Sequence, residues 1–212
     1  MNASTLESLT ARTELDFPEY DDPPGEPVAL LRGWLDQAQA RGVREPCALA
    51  LATADERGRA STRIVAITAL TDAGLVFLSH DCSQKGRELA ATGWASGVLY
   101  WRETAQQVIV SGPVRKLPSA ESDALWHARP VPLHAMSAAS RQSEPLPDVA
   151  ALREQARRLE ALGEALPRPA RFCGYLLEPA AVEFWCASPD RLHRRLRYDK
   201  QPDGWRPVRL QP

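Results

Sequence analysis

The amino-acid sequence predicts a mainly β chain with peripheral helices, arranged as an antiparallel barrel or sandwich. Two observations carry this. Short apolar runs recur along the chain, separated by turn-type breaks such as "DERG" and "TDAG", the pattern of strands joined by tight connections. Helical periodicities are few, whereas a doubly wound parallel sheet needs a helix after almost every strand. The length of 212 residues suits one domain of this kind with a single core.

The elements follow in order. Residues 1–26 are polar and hold Pro18, Pro23 and Pro24, so they read as a flexible N-terminal arm without its own core. A single domain is expected over 27–212. It opens with a helix at about 27–41. Pro27 suits a first helical position, Gly42 suits the residue past the end, and Val28, Leu31, Leu35 and Ala38 make one apolar face. Apolar runs at 47–54, 60–70 and 75–78 predict a three-stranded meander. "SQKGRELAATG" (83–93) predicts a short helix, capped by Ser83 and stopped by Gly93, with Gly86 weakening it slightly. Strands follow at "WASGVLYW" and "AQQVIVSGPVRKL", then a helix from near Ser119 to before Pro130. A Pro- and Ser-rich segment spans 130–147. Val149, Leu152, Ala156, Leu159 and Leu162 mark a helix at 148–162. Four more strands close the chain: "FCGYLLEP", "AVEFWCAS", "HRRLRYDK" and "GWRPVRL".

Composition excludes several classes. Net charge is −1 and the pI about 6.4, so nothing points to a nucleic-acid binder or an acidic membrane surface. No apolar run approaches the roughly 18 residues of a membrane span. The N-terminus lacks a basic segment followed by an apolar one, which argues against a secretory signal. Cys47, Cys82, Cys173 and Cys186 form no CxxC pair and read as reduced thiols, which suits a cytoplasmic location. Four scattered histidines show no ligand spacing, so no metal is expected.

No nucleophile signature is present: GxSxG and GxxxxGK(S/T) are both missing. Polar residues gather instead at strand ends. Arg63 opens the buried run Ile64–Ile67, and Thr68 closes it. Ser79, Gln84, Lys85 and Arg87 surround a strand end and a helix start. That place suits a phosphate, although a solvated helix end with surface cations reads the same way. Of Gln106 and Gln107, one faces the core side, where a buried amide wants a polar partner. "RLHRRLRYDK" (191–200) alternates Arg191, His193, Arg195 and Arg197 with Leu192, Leu196 and Tyr198, a strand with one cationic face for a phosphate or carboxylate.

Together "RIV" (63–65), "SQKGREL" (83–89), "QQVIVSG" (106–112), "ARP" (128–130), "SRQS" (140–143) and "EFWCASPDRLHRRLRY" (183–198) resemble the pyridoxine/pyridoxamine 5′-phosphate oxidase family of FMN split barrels. "REPCALALATAD", "WASGVLYWRET" and "RLRYD…GWRPVRLQP" resemble in particular its flavin-dependent oxidases of phenazine biosynthesis. The resemblance implies an antiparallel FMN-binding split β-barrel and a homodimer with FMN in two interface clefts. It implies that Arg63 and Lys85 hold the FMN phosphate, with Ser79 and Gln84 near it. Ile64, Val65, Ala66 and Leu78 would run beside the flavin, and Gln107 would bond the ring edge. Gln142, Ser143, Trp185 and Arg195 would complete the site from the other chain.

Substrate residues depart from the vitamin-B6 enzymes resembled. Where those hold a substrate phosphate with Lys, Tyr, Arg and Ser, this chain has Thr68, Leu125, Arg129 and Leu133. Thr68, Arg129, Arg191 and His193 are the expected substrate contacts, and the more apolar wall suits a larger flat aromatic. The resemblance then implies oxidation of reduced phenazine carboxylates to phenazine-1-carboxylic or phenazine-1,6-dicarboxylic acid, with O2 as acceptor giving H2O2. The flavin would carry the chemistry. No protein group is certain as catalytic, and His193 is the one candidate base. A vitamin-B6 phosphate oxidase and a non-catalytic FMN- or heme-binding barrel are the alternatives.

Overall fold

A computed structural model describes residues 15–212. Nine strands form one antiparallel sheet: β1 (Ala48–Ala54), β2 (Ala60–Thr71), β3 (Gly74–His80), β4 (Trp94–Trp101), β5 (Gln106–Lys116), β6 (Phe172–Leu177), β7 (Ala181–Cys186), β8 (Arg194–Gln201) and β9 (Gly204–Leu210). Their order is β4-β1-β2-β3-β6-β5-β7-β8-β9, and an added β4–β5 pairing closes the first six into a barrel. The long strand β5 makes this possible. Its first half pairs with β4 and β7, and its last residues, Val114–Lys116, pair with β6. The flap β7-β8-β9 therefore extends from the barrel wall. This is the expected split barrel.

Alternation decides which face is inside. On β1, Leu49 and Leu51 are fully buried between half-buried alanines. They meet Leu99, Val108, Val110, Phe77 and Leu177 in one core. Helix α1 (Pro27–Ala40) packs onto it through Leu31 and Trp34. Trp34 meets the Phe184 ring edge-on at 5.2 Å.

The arm expected to be flexible over 1–26 lies partly outside the described residues. Its described end is packed rather than free. Phe17 is 2% exposed and sits edge-on to Trp34 at 4.9 Å. Arg209 donates to the Tyr20 and Asp21 carbonyls at 2.8 and 3.0 Å. One aromatic ring among polar neighbours carries no periodicity, so the docking was not readable from the sequence.

The remaining helices are α2 (Gln84–Thr92), α3 (Ser119–His127), α4 (His134–Ala139) and α5 (Val149–Glu160). Helix α4 falls in the segment read as Pro- and Ser-rich. Only six residues long, it shows no periodic face. It is held by fully buried His134, which stacks on Trp126 at 4.2 Å and bonds the Trp126 carbonyl at 3.0 Å through Nε2. The expected cationic strand from 191 also starts later. Arg191 has φ +67 in a loop, and β8 begins at Arg194.

Candidate functional site

Arg63 sits on β2 opposite Leu51 of β1, in the row that points toward the barrel interior. At the barrel mouth its guanidinium finds polar neighbours. Nη1 donates to Thr53 Oγ1 and Nη2 to Ser61 Oγ, and Nη2 lies 3.4 Å from a Glu88 carboxylate oxygen. Hydroxyls of Thr53 and Ser61 both donate to that same oxygen. Burial alone would raise the Glu88 pKa. The bonds from Ser61, Thr53 and Gln84 and the Arg63 charge outweigh it and pull it down to about 2.

The second cation comes from the β3–α2 junction. Ser83 caps α2 by accepting from the Gly86 N–H at 3.1 Å. A Cβ on Gly86 would stand 2.4 Å from the Asp81 carbonyl oxygen, so only glycine lets this helix start so close to the strand end. The glycine read as a weakness is a steric requirement. It places Lys85 inward, where it is buried. Lys85 Nζ donates to Ser79 Oγ at 3.1 Å and to Gln142 Oε1 at 3.2 Å. Burial, then the Arg63 charge, lowers its pKa below the ordinary lysine value. The Gln142 N–H in turn donates to Nδ1 of buried His80 at 3.2 Å.

Of these, Ser61, Arg63, Lys85 and Gln142 line a cleft of about 800 Å³. One wall is Ile64, Val65 and Ala66 of β2, with Leu78. The other carries Leu125, Arg129 and Leu133. Arg129 lies 4.8 Å over the Phe172 ring and 5.5 Å from Trp126, and burial lowers its pKa. Gln84 also lines the cleft, but its amide nitrogen donates to Glu88 at 2.9 Å. Ser143 is there too, with φ +72. Thr68 stands at a bulge where the β2–β3 register slips between Ile67 and Ala69, and its hydroxyl donates to the Val76 carbonyl at 3.1 Å.

A second group lies elsewhere. Gln107 is paired with Trp185, and Trp185 with Arg195, in one row across β5, β7 and β8. Gln107 lines a shallow depression on the outer sheet face with Ala48, Ala50, Val98 and Tyr100, which meets the first cleft at exposed Ile64. Arg195 is held by Glu183 at 2.7 Å. The His193 ring lies 4.8 Å from that of Trp185, and its Nδ1 accepts from the Ser188 N–H at 3.1 Å. Arg191 is exposed beside it and belongs to neither cleft.

The structure brings one part of the expected site together within a single chain. Gln142 and Ser143 join Arg63 and Lys85 within one chain, since the segment before α5 folds back over α2. Gln107 groups with Trp185 and Arg195, because β5 and β7 are neighbours. Thr53, Ser61, His80 and Glu88 were not singled out from the sequence. Glu88 stands four residues after Gln84, a spacing that puts the two on one helix face and was the available signal. Among the described residues no group of side chains is arranged to hold a metal, none of the four cysteines is in a disulfide, and no helix is long and apolar enough to cross a membrane.

A closed antiparallel barrel with two cations at its mouth and a cleft along one strand defines a split-barrel protein. Residues 35–163 match the family model of pyridoxamine 5′-phosphate oxidase, and residues 172–212 match the pyridoxine 5′-phosphate oxidase C-terminal dimerisation region. The chain belongs to the pyridoxamine 5′-phosphate oxidase family of flavin-binding oxidoreductases. Within it, the chain is 57% identical to a dihydrophenazinedicarboxylate synthase of Burkholderia lata over 100% of both chains. It is 51% identical to the Pseudomonas chlororaphis enzyme of that name, over 97% of this chain and 93% of that one. A crystal structure of Burkholderia lata PhzG in complex with tetrahydrophenazine-1-carboxylic acid superposes with a TM-score of 0.92, at 57% identity, covering 93% of this chain and 98% of that one.

Proposed function

We propose that this protein is an FMN-dependent oxidase that aromatises reduced phenazine carboxylates, with O2 as the final acceptor. The observation that carries the cofactor reading is Lys85. A buried ammonium that hydrogen-bonds two neutral oxygens, beside the guanidinium of Arg63, has a charge surplus that suits a phosphate. The residues thus fit FMN. Arg63 and Lys85 would hold its phosphate, Ser79 and Gln142 would orient Lys85, and Ile64, Val65, Ala66 and Leu78 would flank the ring system. When bound, the flavin supplies the two-electron redox chemistry.

The protein's own part is binding and orientation. The substrate wall holds Thr68, Leu125 and Leu133, so three of the four positions that grip a substrate phosphate in the vitamin-B6 enzymes resembled do not carry those groups. Arg129 remains as a cation for a ring carboxylate. Charge-assisted phosphate bonds are worth about 1.5–3 kcal/mol each, so the loss disfavours a phosphorylated pyridine by orders of magnitude. His193 accepts at Nδ1 from a backbone N–H, which leaves its proton on Nε2. Burial, then Arg191, lowers its pKa, which keeps the ring neutral. It therefore serves as a hydrogen-bond donor to a carboxylate rather than as a base. Gln107, Trp185 and Arg195, on the sheet that carries the dimerisation region, would reach the cleft of a partner chain.

The test is anaerobic mixing of FMN-loaded protein with a reduced phenazine carboxylate. Rapid loss of oxidised-flavin absorbance is expected, with pyridoxine 5′-phosphate acting far more slowly. Efficient turnover of pyridoxine 5′-phosphate would overturn the substrate reading.

A further inference from the structure

Glu88 stands behind the cleft and does not line it; Ser61, Arg63 and Gln84, which do line it, all converge on its carboxylate. Oε1 accepts from Gln84 at 2.9 Å, and Oε2 accepts from Ser61 at 2.6 Å and from Thr53. Thr53 and Ser61 are cross-strand partners at the turn end of the β1–β2 hairpin. Those two hydroxyls are also the acceptors for the Arg63 guanidinium. A hydroxyl has one proton. When it goes to the carboxylate, only lone pairs face the arginine. Glu88 thus dictates the polarity of both hydroxyls and fixes the guanidinium through them, while its helix carries Lys85 one turn earlier.

We propose that Glu88 is a positioning residue for the cofactor phosphate, setting Arg63 through the Thr53–Ser61 hydroxyl pair. This rests on the FMN reading above and adds to it a residue that touches neither cofactor nor substrate. A carboxylate near a phosphate would by simple repulsion weaken binding. The relay makes the opposite prediction, because an unfixed arginine loses the preorganisation that makes its bonds strong. Glu88→Gln keeps size, removes the charge and leaves one acceptor oxygen where the carboxylate has two, so the hydroxyls and the Gln84 amide no longer both find their acceptor.

The experiment is a double-mutant cycle on the full chain, titrated with FMN and, separately, with riboflavin, which lacks the phosphate. Flavin fluorescence reads both. Glu88→Gln should weaken FMN roughly 2–150-fold, the range for coupled neighbours in one network, and leave riboflavin unchanged. In an Arg63→Ala background it should have no further effect on FMN. Three results would overturn the inference: equal or tighter FMN binding, a parallel loss of riboflavin, or the full loss repeated without Arg63. Arg63→Ala with wild-type FMN affinity would instead overturn the phosphate placement itself, so the two failures are distinguishable. Thr53→Val provides the same cycle from the opposite strand if Glu88→Gln does not fold. It should give a smaller loss that also vanishes without Arg63.

Discussion

The two groups of site residues make a prediction about assembly. Arg63, Lys85 and Gln142 meet within one chain, whereas Gln107, Trp185 and Arg195 share a row on the outer face. If each active site takes the first group from one protomer and the second from its partner, two inactive variants should rescue each other. Arg63→Ala disables the first group, and Trp185→Ala the second. In a mixed dimer one site collects both defects and the other collects none. Equal amounts of the two chains, unfolded and refolded together, give mixed dimers for about half of the population in a two-fold assembly. Half of the sites in those dimers are intact, so about a quarter of wild-type oxidase activity should return. The assay is O2 consumption with a reduced phenazine carboxylate, compared with each variant refolded alone. Recovery no greater than the average of the two single variants would refute the division, and would place both groups in one protomer's site.

Three further outcomes are expected. Thr68→Lys with Leu125→Tyr should tighten pyridoxal 5′-phosphate binding to the FMN-loaded protein about 5–150-fold, from hydrogen bonds worth roughly 1–3 kcal/mol after side-chain ordering; an equal gain for unphosphorylated pyridoxal would show that the phosphate is not the group being gripped. Phe17→Ala should cost about 3–5 kcal/mol, as for other buried aromatics, measured by urea denaturation; a loss below about 1 kcal/mol would mean that the ring is not core. Glu88 is held at about 2 against an ordinary 4.5, so its ionised form stabilises the fold fully above pH 4.5 and progressively less as pH falls toward 2. The stability gap between wild type and Glu88→Gln should therefore close over that window, and a gap that persists to pH 2 would refute the network.

Much of the fold was legible because its signals are local. Strand alternation such as Leu49 and Leu51, turn residues such as "DERG", and the Ser83 and Gly93 caps each act within a few residues. The closing β4–β5 pairing and the flap on β7 are long-range choices with no such signature. The same limit applied to the site. Strand-end cations were visible, because a permanent charge at the head of an apolar run needs a reason. The partner of each was not. Gln142 reaches Lys85 across 57 positions and His80 across 62. Glu88 also escaped notice, since a glutamate in a short helix looks like solvated surface until Thr53 and Ser61 are folded onto it.

The two ends of β2 also differ in how tightly they are bound to the rest of the protein. At the start, Arg63 is tied to Thr53, Ser61 and Glu88, and through Glu88 to the helix that carries Lys85. Changing any member leaves a buried polar group without its partner, which costs about 1–3 kcal/mol or more for a charge. At the far end Thr68 is exposed, set in a bulge that aims its side chain into the cleft, with a single bond to the Val76 carbonyl. Leu133 across the cleft is exposed as well. Exposed positions of this kind change for roughly 0.5 kcal/mol or less. The cofactor end is therefore rigid for a physical reason, and the substrate end is free to be rewritten. A barrel built this way can exchange a phosphate grip for an apolar wall without disturbing the cations proposed to hold the flavin phosphate.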